Sequence, residues 1–248
     1  AVQVQDGKDV IYVLEVNPRA SRTVPFVSKA IGRPLAKVAA RVMAGQTLAD
    51  LGCLDEIVPP YFSVKEAVFP FNKFPGVDPV LSPEMRSTGE VMGVGRTFGE
   101  ALFKSQLAAS SRLPASGKVF ISVKNSDKPA MRKVAANLVE MGYSLCATGG
   151  TADDLKAAGL PIEKINKVKE GRPHIVDAMK NGDIALVFTT VDETRDAIND
   201  SSSIRKTAIA QRITYQTTVA GAEAAVEGMK HLHEIHVYDL QGLHASLK

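Results

Sequence analysis

The sequence predicts an α/β protein: a parallel sheet with helices on both faces from residue 118 onward, preceded by a mixed helix-and-strand segment. Three observations predict it. Beyond Lys118, apolar runs of strand length alternate with stretches of helical period, as in sheets whose strands are joined through helices. Residues 110–117 (SSRLPASG) hold small residues and a proline without periodicity, so a domain boundary is expected near 110–116, dividing 1–110 from 111–248. Residues 11–26 (IYVLEVNPRASRTVPF) read as a strand that ends in a polar turn before a helix.

At the amino end, residues 2–5 and 10–15 flank Asp6-Gly7-Lys8, a turn signal, so a β-hairpin is expected. Alternation puts Ile11, Val13 and Glu15 on one face of the second strand and Tyr12 and Leu14 on the other. Pro18, lacking an N–H, ends the ladder after Asn17. Loop length decides where Gln3 points: an odd loop puts it on the Glu15 face, an even one opposite. Residues 25–31 and 34–44 are helical, each starting near a proline and ending before a glycine, with Leu35, Val38, Ala39 and Val42 as core. Thr47 caps a short turn at 48–51. Residues 64–69 form a strand leading into a proline- and aromatic-rich loop at 71–79. Glu66 shares a face with Val64 and Val68, which places it at an edge or beside a cation. The glycine-rich run 87–95 (STGEVMGVG) matches neither a P-loop nor a dinucleotide fingerprint and reads as a structural crossing. Thr97 caps a helix over 98–109 whose Leu102, Phe103 and Leu107 face inward.

In the second segment, strands are expected at 119–123, 143–147, 162–165 and 184–188, and helices at 129–141, 152–158, 174–180, 204–212 and 219–233. Met179 and Met229 read as core, and His174 as a helix-start or core histidine. Ligands of an open parallel sheet bind at the carboxyl ends of its strands. There the chain offers Ser122, Lys124 and Lys128, then Thr148-Gly149-Gly150-Thr151 before a helix, then Asn166 and Lys167, then Thr189 and Thr190. Glycines let the backbone approach a ligand, hydroxyls donate, and a helix N-terminus adds free N–H groups. Apart from Asp127 there is no carboxylate, which describes a phosphate-monoester pocket rather than an acid–base site. At the amino end, Glu15 and Asn17 supply hard oxygens suited to Mg²⁺, and Arg19 and Arg22 suit a planar anion or phosphoryl group. The same residues also read as a polar turn with surface ion pairs.

Apolar and charged fractions of 45% and 23% are ordinary for a globular protein, and 248 residues suffice for one large or two modest domains. A net charge of +3 gives no case for a nucleic-acid or membrane face. Cys53 and Cys146 lie far apart with no thiol or histidine at metal spacing, which argues against a disulfide scaffold or zinc site and fits a reducing cytosol. No apolar run approaches the roughly 18–20 residues of a membrane span. The start, AVQVQDGKD, is no signal peptide and reads as a strand cut within a domain.

EVNPRASRTVPFVSKAIG, then PLAKVAARVMAG, then FNKFPGVDPVLSPEMRSTGEVMGVGRTFGEALFKSQ resemble the large subunit of the carbamoyl-phosphate synthetases. The alternating segment after them resembles that family's methylglyoxal-synthase-like allosteric domain. The resemblance covers nearly the whole chain and corresponds to the C-terminal quarter of the family's subunit. It implies the end of the second ATP-grasp domain, an α+β piece, at 1–110 and a Rossmann-like allosteric domain at 111–248. The implied activity is that of an ATP-dependent ligase, glutamine-hydrolysing carbamoyl-phosphate synthase, in cytoplasmic arginine and pyrimidine biosynthesis. Bicarbonate yields carbamate, which ATP phosphorylates at this domain. Gln3, Glu15 and Asn17 would hold Mg²⁺ or Mn²⁺, with Gln3 and Glu15 facing the nucleotide and K⁺ a further ion of the full enzyme. Arg19 and Arg22 would be catalytic, neutralising the transferring phosphoryl group. Implied partners are the glutaminase small subunit and the rest of the large subunit, within an oligomer. Because the adenine pocket and phosphate-gripping lysines would precede Ala1, this chain alone is expected to show no turnover.

The resemblance further implies an effector site for UMP or IMP at Ser122, Lys128, Thr148, Thr151, Lys167, Thr189 and Thr190. It implies an ornithine site at Glu66, Tyr215 and Thr217, spanning the domain boundary. Three positions depart from the family pattern. Thr189 stands in place of asparagine and Val191 in place of a hydroxyl, altering contacts to base or ribose; Gln216 replaces an acid, weakening recognition of an amino group. Two other functions stay open: a stand-alone nucleotide-binding regulator and a methylglyoxal-synthase-like lyase. The lyase needs an aspartate base in the loop matching 169–174 (KEGRPH), which holds none, and Glu170 and Asp177 fall outside the matching position. Arg172 either contacts phosphate or braces that loop.

Overall fold

A computed structural model describes residues 1–19, 21–69, 89–191 and 195–247, with the backbone alone at 195–200. Contacts group the chain into two compact units, Ala1–Pro59 with Leu240–Lys248, and Pro60–Asp239. Residues 60–110, expected with the first piece, therefore share a unit with the sheet that follows.

In the first unit, β1 (Val2–Gln5) and β2 (Lys8–Ile11) form an antiparallel hairpin. Its loop is Asp6-Gly7, both at positive φ (51° and 74°), the geometry that matches strand twist in two-residue hairpins. The strand does not run to Glu15 as expected. β1 has only four residues, and after Val2 pairs with Ile11 just the main chains of Ala1 and Tyr12 meet, at 2.8 Å. The loop is even, and Gln3 pairs with Val10. Alternation thus sets Gln3 opposite the Ile11 face. α1 (Thr23–Ala30) and α2 (Leu35–Met43) follow, and the C-terminal helix Leu240–Ala245 returns to them, His244 Nε2 meeting the Lys29 carbonyl at 2.7 Å. The expected core stripe of α2 is a correction: Leu35 and Val38 are half-buried, while Ala39 and Val42 are exposed. An amphipathic pattern guarantees an apolar face, not a neighbour to cover it.

The second unit begins with an antiparallel pair, β3 (Phe62–Val68) and β4 (Gly89–Gly95). Residues 89–95 are therefore a strand rather than a crossing; the rest of that run and the loop at 71–79 lie outside the described residues. The glycines serve packing. α3 (Phe98–Ala108) lies so close that a Cβ on Gly93 would overlap the Ala101 carbonyl oxygen, and one on Gly95 would stand 2.6 Å from the Ala101 nitrogen. Thr97 caps α3 as expected, accepting the Glu100 N–H at 3.2 Å. The inward face differs: Glu100, Ala101, Phe103, Ser105 and Gln106 are buried, Leu102 is half-buried and Leu107 exposed. The helix is gripped on two sides, by β4 and by the helix at 219–229, so burial spreads beyond one stripe.

The sheet comprises β5 (Lys118–Ser122), β6 (Ser144–Ala147), β7 (Glu163–Lys164), β8 (Leu186–Thr189) and β9 (Thr214–Gln216), all parallel in the order β7-β6-β5-β8-β9. The α/β expectation holds, with β9 an unforeseen edge strand. Helices α4 (Lys128–Glu140), α5 (Gly149–Ala157), α6 (Ile175–Lys180), α7 (Arg195–Ala210) and α8 (Val219–Met229) cover both faces. On one, Val119, Ile121 and Phe188 meet Met131, Leu138 and Met229; on the other, Phe120 and Val187 meet Ile175, Met179 and Ile204. Both methionines are core, and His174 starts α6 by accepting the Asp177 N–H at 3.3 Å. Among the described residues no helix is long and apolar enough to cross a membrane.

Candidate ligand sites

The chain winds outward from β5 through β6 to β7, then returns to place β8 on the other side of β5. That reversal opens a crevice at the carboxyl ends of β5 and β8. A cavity of about 260 Å³ lies there, lined by all of Ser122, Lys128, Thr148, Thr151, Lys167, Thr189 and Thr190. The exits of β5 and β6 are tied by Ser122 Oγ and Thr148 Oγ1 at 2.9 Å. Thr151 and Thr190 accept the N–H groups of Val123 and Lys124 at 3.2 and 3.1 Å, so their hydroxyls are fixed by the strand exit itself. α5 begins at Gly149, earlier than the pattern suggested; the Thr148 carbonyl accepts the N–H groups of Thr151 and Ala152 at 2.9 and 2.8 Å, while those of Gly149 and Gly150 precede the helical ladder. A Cβ on Gly150 would lie 3.4 Å from Lys128 Nζ, so the ammonium stands over that turn. Arg132 grips Asp154 with two bonds (2.9 and 2.6 Å), holding α4 to α5 beside the cavity.

No carboxylate lines this cavity among the described residues. Glu170 accepts the Lys167 N–H at 2.8 Å, and Asp177 is held by His174 and by Arg172, at 3.5 Å, in bracing the loop. Among the described residues the arrangement can hold an anion and supplies no carboxylate base. Ser201 and Ile204 also line the cavity unforeseen, because the helical pattern starts only at 204 whereas α7 starts at Arg195.

A second cleft, of about 400 Å³, brings together Glu66, Tyr215 and Thr217, all within the unit Pro60–Asp239. Gln106, Arg212 and Gln216 line it too, without having been anticipated, except Gln216 as a departure. Glu66 is half-buried; burial pushes its carboxyl up, opposed by the Ser105 hydroxyl at 3.1 Å. Its neighbour is a hydroxyl, not a cation.

At the amino end, Asn17 Nδ2 donates to Glu15 Oε1 at 3.2 Å, so these two side chains stand together. Gln3 is engaged elsewhere, accepting from Gln5 Nε2 at 3.2 Å, while Gln5 reaches the Tyr12 hydroxyl. Arg19 and Arg22 are exposed. A carboxylate and an amide oxygen fit Mg²⁺ in kind, since that ion keeps few protein ligands. Among the described residues no group of three or more His, Cys, Asp or Glu could hold a metal.

Residues 2–51 match the carbamoyl-phosphate synthase L chain ATP binding domain, and residues 130–217 the MGS-like domain. The chain is 70% identical over 247 residues to a carbamoyl phosphate synthase large chain of Ralstonia nicotianae, 60% over 244 to one of Pasteurella multocida, and 58% over 248 to one of Pseudomonas aeruginosa. These alignments take in 98–100% of this chain but only 23% of each relative. Among solved structures, a methylglyoxal synthase from Elizabethkingia anophelis overlaps 46% of this chain and 79% of its own, at 15% identity and a TM-score of 0.39. Over its whole length, then, the chain matches a segment of the carbamoyl phosphate synthase large chain, made of a stretch of its ATP-binding domain and its MGS-like domain.

Proposed function

We propose that the chain serves as the C-terminal part of the large subunit of a glutamine-hydrolysing carbamoyl-phosphate synthase, with the boundary between its catalytic and effector pieces near residue 110. The observation that carries the effector role is the convergence of hydroxyls, Lys128 and Lys167 on one cavity at the sheet's reversal, with no carboxylate among the described lining residues. Such a cavity suits a phosphate monoester, and UMP or IMP is the nucleotide expected there. Lys128 and the first turn of α5 would take the phosphate; Thr189 and Thr190 would face the ribose or base. The second cleft would take ornithine, with Glu66 receiving an ammonium group beside Tyr215 and Thr217.

At the amino end, Glu15 and Asn17 would hold Mg²⁺ or Mn²⁺, which supplies charge neutralisation on phosphate oxygens when bound. Gln3 would join them only if its side chain left Gln5. Arg19 and Arg22 would lower the charge on the transferring group and its acceptor, carbamate. The glutaminase subunit, the rest of the large subunit, K⁺ and an oligomeric, cytoplasmic enzyme belong to the same reading. The chain alone makes no carbamoyl phosphate.

Calorimetric titration of the 248-residue chain with UMP and IMP tests the effector role. Lys128→Met should weaken binding by roughly 10–100-fold, the range for losing a charge-assisted hydrogen bond. Conversion of dihydroxyacetone phosphate to methylglyoxal would overturn the reading in favour of a lyase.

A further inference from the structure

We propose that Arg212 is the carboxylate-recognising residue of the Glu66 cleft, so that the cleft selects an amino acid bearing a second ammonium group over the matching diamine. This rests on the amino-acid reading of that cleft. α7 ends in a pair of bonds, Ile213 N–H to the Ala208 carbonyl at 2.8 Å and Arg212 N–H to the Ile209 carbonyl at 3.1 Å. That closing pattern needs a left-handed residue just past the helix, and Arg212 occupies it at φ 57°. Glycine takes this conformation freely, whereas a residue with a Cβ takes it at a cost, so the arginine is there against local preference.

Nothing in the fold answers for that cost. The Arg212 side chain is exposed and makes no hydrogen bond or ion pair with any described residue, yet it lines the cleft. Among the described lining residues, the charged ones are Arg212 and Glu66. Among the described residues Glu66 is met by the Ser105 hydroxyl alone, at 3.1 Å, and burial resists its ionisation. A cavity with one uncompensated cation and one uncompensated carboxylate fits a ligand carrying both signs. Glu66 takes the ammonium, and the planar guanidinium takes the carboxylate through two parallel bonds.

The test is calorimetric titration of the chain with ornithine and with 1,4-diaminobutane, in wild type, Arg212→Gly, Arg212→Lys and Glu66→Gln, with Tm measured for each. Arg212→Gly should weaken ornithine about tenfold and leave the diamine unchanged, as expected for one charge-assisted contact, while Tm holds or rises because glycine suits the left-handed position. Arg212→Lys should recover part of the preference, and Glu66→Gln should weaken both ligands. An unchanged ornithine-to-diamine ratio in Arg212→Gly would overturn the role of Arg212 while the Glu66 dependence kept the cleft reading intact. Equal loss of both ligands together with a lowered Tm would make Arg212 structural and overturn it likewise. Binding of neither ligand by wild type would remove both ideas.

Discussion

Glu15 and Thr148 each follow an apolar run, yet they are held very differently. Thr148 is 3% exposed and meets Ser122, a residue 26 positions away that the sheet brings beside it. Glu15 is exposed and meets Asn17, two positions along. A side chain at a buried strand end inherits its position from the core, because a one-residue slip would turn every neighbour over. A side chain on an unpaired stretch has only its own sequence to place it. The cavity at the sheet's reversal is therefore assembled by the fold of its own unit, whereas the amino-terminal carboxylate and amide share a local contact.

Three measurements can break or sharpen that contrast. The largest difference should appear in thiol reactivity. Burial pushes the Cys146 thiol up to about 12, whereas Cys53 is only half-buried and resolved as a free thiol. At pH 8 about one Cys146 in 10⁴ would be thiolate, so iodoacetamide should label Cys53 and spare Cys146 until the sheet unfolds. Rapid labelling of Cys146 in the native chain would mean that the sheet opens far more readily than its packing suggests.

Side-chain truncation should come next. Phe120 is fully buried, and Phe120→Ala should cost about 3–5 kcal/mol in urea denaturation, whereas Val13, 80% exposed, should change stability by less than about 0.5 kcal/mol on Val13→Ala. Comparable losses would show that the amino-terminal stretch is packed after all.

The smallest effect concerns Glu66. Its folded carboxyl is held above the ordinary value of 4.5 by burial, so the folded state keeps a proton that the unfolded state releases first. Stability from this group is thus intact below that ordinary value and falls as pH rises through the folded pKa. Glu66→Gln should raise Tm at pH 7 and leave it unchanged at pH 4. Equal shifts at both values would mean that the carboxylate is not strained by its surroundings.

Much of this was legible beforehand. Alternation after Lys118 announced the sheet, because buried parallel strands need continuous apolar runs and crossover helices need a helical period. The residues that line the cavity at the sheet's reversal could be named because strand exits are the places where polar side chains break those runs. β9 was not legible: Thr214–Gln216 is half-buried and polar, and only pairing with β8 makes it a strand. Nor was β4, whose glycines read as a crossing and in fact make room for α3.

By itself, then, the order of residues determined which segments coil and which extend between β5 and β8, which residues end those strands, and which helix starts are capped. Those are local matters, decided by period, proline, glycine and capping hydroxyls. Tertiary structure alone decided that the apolar stripe of α2 stays largely uncovered and that Glu66, Arg212 and Thr217 line one cleft. Each depends on a partner distant in the chain, and a sequence states what a face is made of without stating what lies against it.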